Sequence, residues 1–211
     1  MKTIYYSVKC LPKLCYEYIK SQNPEDRKRI SMEISEFEKK VNQILNDPKG
    51  WSRCNVKYIQ VPEINKVESK KRVMFRQSFG KNVEGVRDAP TDYVEILLCP
   101  SNIISDHFCP VLKKNENLSC ADLRKIMVYV NLQRWLYGSD FEEIPLQEYQ
   151  KYLINHEIGH AVFGLLHPEC QNLKGYRKSP VMLQQTINLC NGKLKFNPYP
   201  LDAEIKPFKH K

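Results

Sequence analysis

The sequence contains no apolar run approaching ~18 residues, the length at which a stretch becomes a candidate membrane-spanning helix. We therefore expect no membrane span. Residues 1–8 include a lysine but no long apolar stretch, so we expect no signal peptide there. Internal repeats and low-complexity segments are also absent. The 42% hydrophobic and 27% charged residues are typical of a soluble globular protein, and 211 residues favour a single domain, residues 1–211.

The eight cysteines include no Cys-x-x-Cys pair, which argues against a zinc ribbon. Eight is nevertheless a large number for a protein of a reducing compartment. If these cysteines form disulfides, the lack of a recognisable leader leaves two locations open. The protein is either secreted, with its leader absent from this sequence, or associated with the virion of a large cytoplasmic virus.

The net charge of +9 comes from basic residues that are scattered along the chain. Short clusters occur at Lys70-Lys71-Arg72 and in the C-terminal tail. A basic surface can favour acidic partners, including nucleic acids. Because no nucleic-acid-binding motif accompanies the charge, we expect a solvated lysine-rich surface and no specific binding of nucleic acid.

Three of the five histidines lie in one short stretch, at His156, His160 and His167. On an α-helix, His156 and His160 project from the same face, about one turn or ~6 Å apart. Two imidazoles placed in this way can bind one zinc ion. Glu157 lies roughly 100° around the helix from His156. Its carboxylate can there accept a proton from a zinc-bound water as that water attacks a carbonyl.

A hydrolytic zinc site also needs a third protein ligand and one open position. Gly164 can end the helix in the left-handed conformation, so that the chain turns back and brings His167 to the metal. A bare H-E-x-x-H can arise by chance on an amphipathic helix. The additional glycine and third histidine favour a zinc site with His156, His160 and His167 as ligands.

These residues resemble the signature of the metzincin metallopeptidases, H-E-x-x-H-x-x-G-x-x-H followed by a methionine turn. The chain departs from that signature by one inserted residue, Phe163, before Gly164. The methionine turn of the family resembles Ser179-Pro180-Val181-Met182. The resemblance implies that Met182 forms a hydrophobic floor below the metal and that Glu157 is the general base.

Further segments resemble an uncharacterised bacterial family of mostly secreted metzincin-like domains. They follow the family order from about residue 31 to 200: Asp47-Pro48-Lys49-Gly50-Trp51, Ser119-Cys120, Asn131-Leu132-Gln133-Arg134-Trp135, Tyr152-Leu153-Ile154-Asn155-His156-Glu157, Pro180-Val181-Met182-Leu183-Gln184-Gln185-Thr186, Cys190 and Asn197-Pro198-Tyr199-Pro200. Cysteines of that family match four positions here, which implies the disulfides Cys109–Cys120 and Cys170–Cys190. The remaining cysteines, Cys10, Cys15, Cys54 and Cys99, either pair or remain buried thiols.

The resemblance implies an α/β (α+β) fold of metzincin type. A twisted mixed sheet would pack on a backing helix and an active-site helix, and an irregular C-terminal subdomain would carry the methionine turn. The N-terminal subdomain is expected at about 1–164, where the active-site helix ends, and the C-terminal subdomain at about 165–211.

Residue patterns predict the individual elements. Strands are expected at 3–9, 56–61, 72–79, 93–98 and 125–132, and helices at 31–46, 145–163 and 186–189. Residues 10–30 are expected to be irregular, 100–124 to form a long connection, and 191–211 to form an extended tail. In metzincins an edge strand lines the cleft and pairs with substrate, and either 93–98 or 125–132 is expected to serve.

We therefore expect a monomeric zinc metalloendopeptidase that acts on a peptide or protein substrate. One alternative keeps the zinc but hydrolyses other amides. Another is a catalytically weak or inactive metzincin-like zinc-binding protein with a structural or virion role. The residue inserted before His167 favours this last alternative, and the intact Glu157 speaks against it.

Overall fold

A computed structural model describes residues 1–10, 12–62, 91–109, 118–123, 125–139, 144–186 and 190–208, with the backbone alone for residues 12–14. The predicted strand at 72–79 lies outside these residues, as does most of the predicted helix at 186–189. The described strands are β1 (Lys2–Cys10), β2 (Val56–Gln60), β3 (Tyr93–Cys99), β4 (Cys120–Asp122) and β5 (Met127–Asn131). The described helices are α1 (Pro12–Lys20), α2 (Pro24–Leu45), α3 (Ser101–Ile103), which continues as a π-helical turn (Ile104–Phe108), α4 (Leu132–Tyr137), α5 (Leu146–Ala161) and α6 (Asp202–Ile205).

The five strands form one mixed sheet in the order β2-β1-β3-β5-β4. Strands β2, β1, β3 and β5 are parallel to one another, and β4 runs antiparallel to β5. The central strand β3 is apolar on both faces, as expected for a parallel strand that is covered on both sides. The predicted mixed α/β architecture is confirmed at this level, as are the strands predicted near 3–9, 56–61, 93–98 and 125–132.

The prediction of the edge strand is wrong. The segments 93–98 and 125–132 correspond to β3 and β5, and each of these has a neighbouring strand on both sides. Among the described strands, β4 is the outermost on this side, and it lies inside the segment predicted as a long connection. With only three residues, all of them partly buried, β4 is too short to show an alternating pattern.

Helix α2 begins well before the predicted residue 31. Asn23 caps its first turn by accepting a hydrogen bond from the backbone N–H of Asp26 at 2.9 Å, and Pro24 occupies the first helical position. The prediction that residues 10–30 are irregular is therefore wrong, since this segment contains α1 and the start of α2. Charged residues around Arg27 and Lys28 obscured the apolar stripe, although the capping pattern was present in the sequence.

Helices α2 and α5 pack against the sheet and against each other. Helix α2 lies against β1, and α5 lies against β4 and β5. Most side chains of α5 are buried, as its nearly continuous apolar circumference predicts. Phe163, just beyond its end, is fully buried and packs between the rings of Trp51 and Phe208.

The C-terminal segment is not the extended tail that was predicted. Residues 202–205 form α6, and Ile205 and Phe208 are buried in the main core. Buried amides hold the preceding chain in place. Gln185 donates to the carbonyls of Pro180 and Asn197 at 3.0 and 2.7 Å. Because buried polar groups need partners, this network fixes the path of the irregular backbone below α5.

The structure brings together both pairs of cysteines that were predicted to bond. Cys109–Cys120 connects the π-helical turn to β4, and Cys170–Cys190 connects the segment after His167 to the segment after Met182. The other four cysteines take part in neither disulfide, and three of them are buried. Among the residues described, no helix has both the length and the apolarity to cross a membrane.

Gly159 provides a test of the packing between α5 and the methionine-containing turn. A methyl group at this position would collide with the Sδ of Met182 and lie 3.0 Å from Cζ2 of Trp51. In an exposed helix, Gly→Ala stabilises by about 1 kcal/mol. Here we expect Gly159→Ala to lower the free energy of unfolding by ~1–3 kcal/mol, as overpacking does, in a denaturant titration. The double variant with Met182→Ala should be less sensitive to the added methyl group, and a stabilised single variant would contradict this packing.

Candidate metal centre

Three imidazole nitrogens converge at the C-terminal end of α5. The Nε2 atom of His156 lies 3.2 Å from that of His160 and 3.1 Å from that of His167, and the His160 and His167 atoms are 2.9 Å apart. His156 and His160 meet because they are one helical turn apart. His167 reaches them from the loop that follows the helix. The structure thus brings together the three histidines that the sequence singled out.

Backbone carbonyls fix the tautomers of the two helical histidines. The Nδ1 atom of His156 lies 2.8 Å from the carbonyl oxygen of Val181, and that of His160 lies 2.6 Å from the carbonyl oxygen of Leu165. Because a carbonyl can only accept, each Nδ1 must carry the proton. In the neutral rings, both Nε2 atoms are then acceptors that face each other without a hydrogen between them.

A metal cation resolves this opposition of lone pairs. Three nitrogens bound tetrahedrally at 2.0–2.1 Å would be about 3.3 Å apart, close to the separations found here. These three residues also form the only group of at least three potential metal ligands within the described part of the chain. The donor set therefore fits a metal ion, and imidazole suits several transition metals, zinc among them.

Burial favours the neutral, metal-binding form of these rings. It lowers the pKa of all three imidazoles below the usual value, that of His156 strongly and that of His160 to about 4. Repulsion between neighbouring rings lowers the pKa of His156 and His160 further. The site is thus built to keep its nitrogens unprotonated at neutral pH.

A wide turn at Gly164 connects the end of α5 to the segment that carries His167. Gly164 adopts a left-handed conformation with φ of 67°, and its N–H donates to the carbonyl of His160 at 3.0 Å. The next N–H, that of Leu165, reaches back to the carbonyl of Gly159 at 3.1 Å. With Phe163 in the core, this turn aims the Leu165 carbonyl at His160 and carries His167 to the cluster.

Glu157 lines the same cleft as the three histidines. Its side chain is buried, and burial raises the pKa of its carboxyl group to about 8. A cation bound at the histidines would lower that pKa again by favouring the charged form. A carboxylate in this position can accept and return a proton near neutral pH.

The cleft is walled on one side by α5 and on the other by β4 and the residues that flank it. Leu118, Ala121 and Leu123 give this second wall an apolar character. Cys120 contributes to the same wall, so the disulfide to Cys109 holds the wall in place. The sequence did not identify this wall, since no local pattern shows that residues 118–123 lie opposite α5.

The turn that contains Met182 lies directly below α5. Met182 is buried and packs against Gly159, as the collision described above shows. Two residues that the sequence analysis missed hold this turn. Tyr152 donates to the Leu183 carbonyl at 2.9 Å, and the carboxylate of Glu204 accepts hydrogen bonds from the backbone N–H groups of Val181 and Met182. Glu204 also accepts a hydrogen bond from the Leu201 N–H, as the glutamate of a capping box does, but Leu201 is not the Ser or Thr of that pattern and nothing local points Glu204 to the turn.

The sequence model of one protein family, described as "Protein of unknown function (DUF3152)", matches residues 30–205. The matched range includes the three histidines, Glu157, Met182, Glu204 and both disulfides. No curated protein and no solved structure matches the chain.

His167→Ala tests whether three histidines hold the metal. Without His167, two imidazoles on one helix leave the ion only partly coordinated, so we expect a large loss of metal affinity. Competition with a chelator measures it. The matched control is His107→Ala, since His107 lies on the π-helical turn outside the cluster. Equal affinity of the His167 variant and wild type would remove His167 from the ligand set.

The lowered pKa values predict how bound metal responds to acid. Protons displace metal from imidazoles, and they do so only when they can protonate the rings. A base with a lowered pKa accepts its proton at a lower pH, so zinc should remain bound well below pH 6.5, the usual pKa of histidine. Zinc content after dialysis at a series of pH values measures this. Half-release near pH 6.5 would contradict it.

Proposed function

We propose that this chain, which belongs to the DUF3152 family, is a zinc-dependent metallopeptidase that hydrolyses peptide bonds. The observation that carries the proposal is the convergence of three neutral imidazole nitrogens beside a buried carboxylate in an open cleft. Three protein ligands with a free position and an adjacent base are the parts that a hydrolytic zinc site requires.

Zinc is the metal that this donor set fits best for hydrolysis. Three nitrogen ligands and no thiolate match catalytic zinc sites, in which the fourth position stays free. Zinc bound here would supply a Lewis acid that polarises the scissile carbonyl and lowers the pKa of a water molecule. His156, His160 and His167 would hold it, with two of them oriented by backbone carbonyls.

Glu157 would move the proton during the reaction. Its carboxylate accepts a proton from the attacking water and then delivers it to the nitrogen of the leaving amine. Its position in the cleft beside the three histidines supports this role. A cation bound at the histidines would favour the charged form of the carboxyl group, which is the form that accepts the proton.

The metzincin assignment is part of this proposal. Its supports are the left-handed Gly164 after α5, the Met182 turn against Gly159, and a sheet whose edge strand β4 is antiparallel to its neighbour. In this arrangement β4 is the outermost of the described strands on its side of the sheet, and it lines the cleft. An extended peptide can add to such a strand through main-chain hydrogen bonds, while its side chains contact the cleft wall.

The apolar character of that wall favours substrates with an apolar side chain beside the scissile bond. The two disulfides favour an oxidising location, either extracellular or in a virion. A peptide-library digest with zinc-loaded protein tests the substrate class directly. Stoichiometric zinc without any turnover would instead favour the zinc-binding structural protein.

Glu157→Gln tests the chemistry. The amide is close in shape to the carboxylate but cannot accept a proton at neutral pH, so turnover should fall by about 10²–10⁴-fold. Zinc content should stay the same, and the melting temperature should be equal or higher because a buried acidic group is removed. The matched control is Glu148→Gln, on the surface of the same helix, where Glu148 pairs with Lys151 at 2.5 Å. Retained turnover in the Glu157 variant would exclude it as the base.

A further inference from the structure

Glu204 directs its carboxylate away from its own helix and into the turn below the histidines. Its Oε2 accepts hydrogen bonds from the N–H groups of Val181 at 3.0 Å and Leu201 at 2.8 Å, and its Oε1 accepts one from Met182 at 2.9 Å. Only the bond from Leu201 caps α6. The other two join residues more than twenty positions apart in the sequence, so they do not stabilise the helix itself.

One peptide group connects this carboxylate to the metal centre. The N–H of Met182 and the C=O of Val181 belong to the same planar amide and point in opposite directions. The N–H donates to Glu204, and the C=O accepts the proton of His156 Nδ1 at 2.8 Å. A continuous chain of hydrogen bonds therefore runs from the carboxylate through the amide to the imidazole whose Nε2 faces the other histidines.

The charge of Glu204 should be felt along this chain. An anion that accepts from an amide N–H polarises the amide and makes its carbonyl a stronger acceptor, and each hydrogen bond in such a chain is strengthened by about 10–30%. A stronger acceptor behind Nδ1 fixes the ring orientation and makes Nε2 more basic. Direct carboxylate–histidine–zinc triads act in this way, and here a peptide group lies between the carboxylate and the ring.

We propose that Glu204 is a positioning residue of the metal centre, which acts on His156 through the Val181–Met182 peptide group. This inference rests on the proposed function, because it takes His156 to be a metal ligand. In this role Glu204 holds the turn below α5, keeps the Nδ1 proton on His156 and strengthens Nε2 as a donor. Burial raises the pKa of the Glu204 carboxyl group, and its three N–H partners act against that shift by stabilising the ionised form that the role requires.

Asp202 gives a matched comparison on the same helix. It carries the same charge, is exposed, and pairs with Arg53 rather than with the turn. Asp202→Asn should therefore leave metal affinity within twofold of wild type. Glu204→Gln keeps the shape of the side chain but turns an NH₂ group towards one of its donors. We expect it to weaken zinc binding by about 10–100-fold, the usual effect of losing an outer-shell partner.

Nitrogen NMR of the imidazoles distinguishes this role from simple support of the fold. In the metal-free protein, Glu204→Gln should shift part of the His156 population to the Nε2–H tautomer and leave His160, which donates to Leu165, unchanged. Equal changes in both rings, or none in a folded variant, would overturn the proposal. This readout needs no metal and no activity. A failure of the protein to bind zinc would contradict the metallopeptidase proposal, but the NMR measurement would still show whether Glu204 controls the tautomer of His156.

A second measurement uses wild type alone and serves if Glu204→Gln does not fold. Zinc on Nε2 makes the Nδ1 proton of His156 a stronger donor, which polarises the shared peptide and strengthens the bond from Met182 to Glu204. The amide proton of Met182 should move downfield on addition of zinc, by more than that of Val181. Val181 also donates to Glu204, but through the preceding peptide group. Equal shifts of the two amide protons would overturn the relay.

Discussion

The hydrogen bond between His156 Nδ1 and the Val181 carbonyl is the contact on which the arrangement of the centre depends. It joins the helix that supplies two of the converging histidines to the turn that supports the helix from below. It also determines which nitrogen of His156 is free for a metal. Gly159 allows the two elements to approach, because any side chain there would displace Met182. The packing of Met182 against Gly159 and the orientation of the His156 imidazole therefore depend on the same contact between α5 and the turn.

The parts of the site that could be predicted are those encoded by helical geometry. His156, Glu157 and His160 have a fixed relation once their segment is helical, and Gly164 supplies the one left-handed residue that returns the chain to His167. Phe163, the extra residue relative to the metzincin signature, leaves the cluster intact because its ring packs between Trp51 and Phe208. Periodicity could not reveal this, since it describes local shape and not the cavity that a side chain enters.

The parts that were missed depend on contacts between distant segments. Strand β4 has only three residues, and it is held in place by pairing with β5 and by the disulfide from Cys120 to Cys109. Helix α6 is four residues long, and Ile205 and Phe208 anchor this segment in the core. No local sequence pattern predicts that these two side chains are buried. Glu204 accepts three hydrogen bonds, and two of them come from residues more than twenty positions away, which no local pattern can predict. The start of α2, in contrast, could have been found from Asn23 and Pro24 by giving capping more weight than the apolar stripe.

The two walls of the cleft are maintained by different kinds of force. The histidine wall consists of the long buried helix α5, which is held by packing and hydrogen bonds. Heat and denaturing solvents weaken such contacts. The opposite wall is a strand too short to be stable on its own, and a covalent bond between two sulfur atoms anchors it. Because that bond is a disulfide, the shape of the cleft depends on the redox state of Cys109 and Cys120 as well as on temperature.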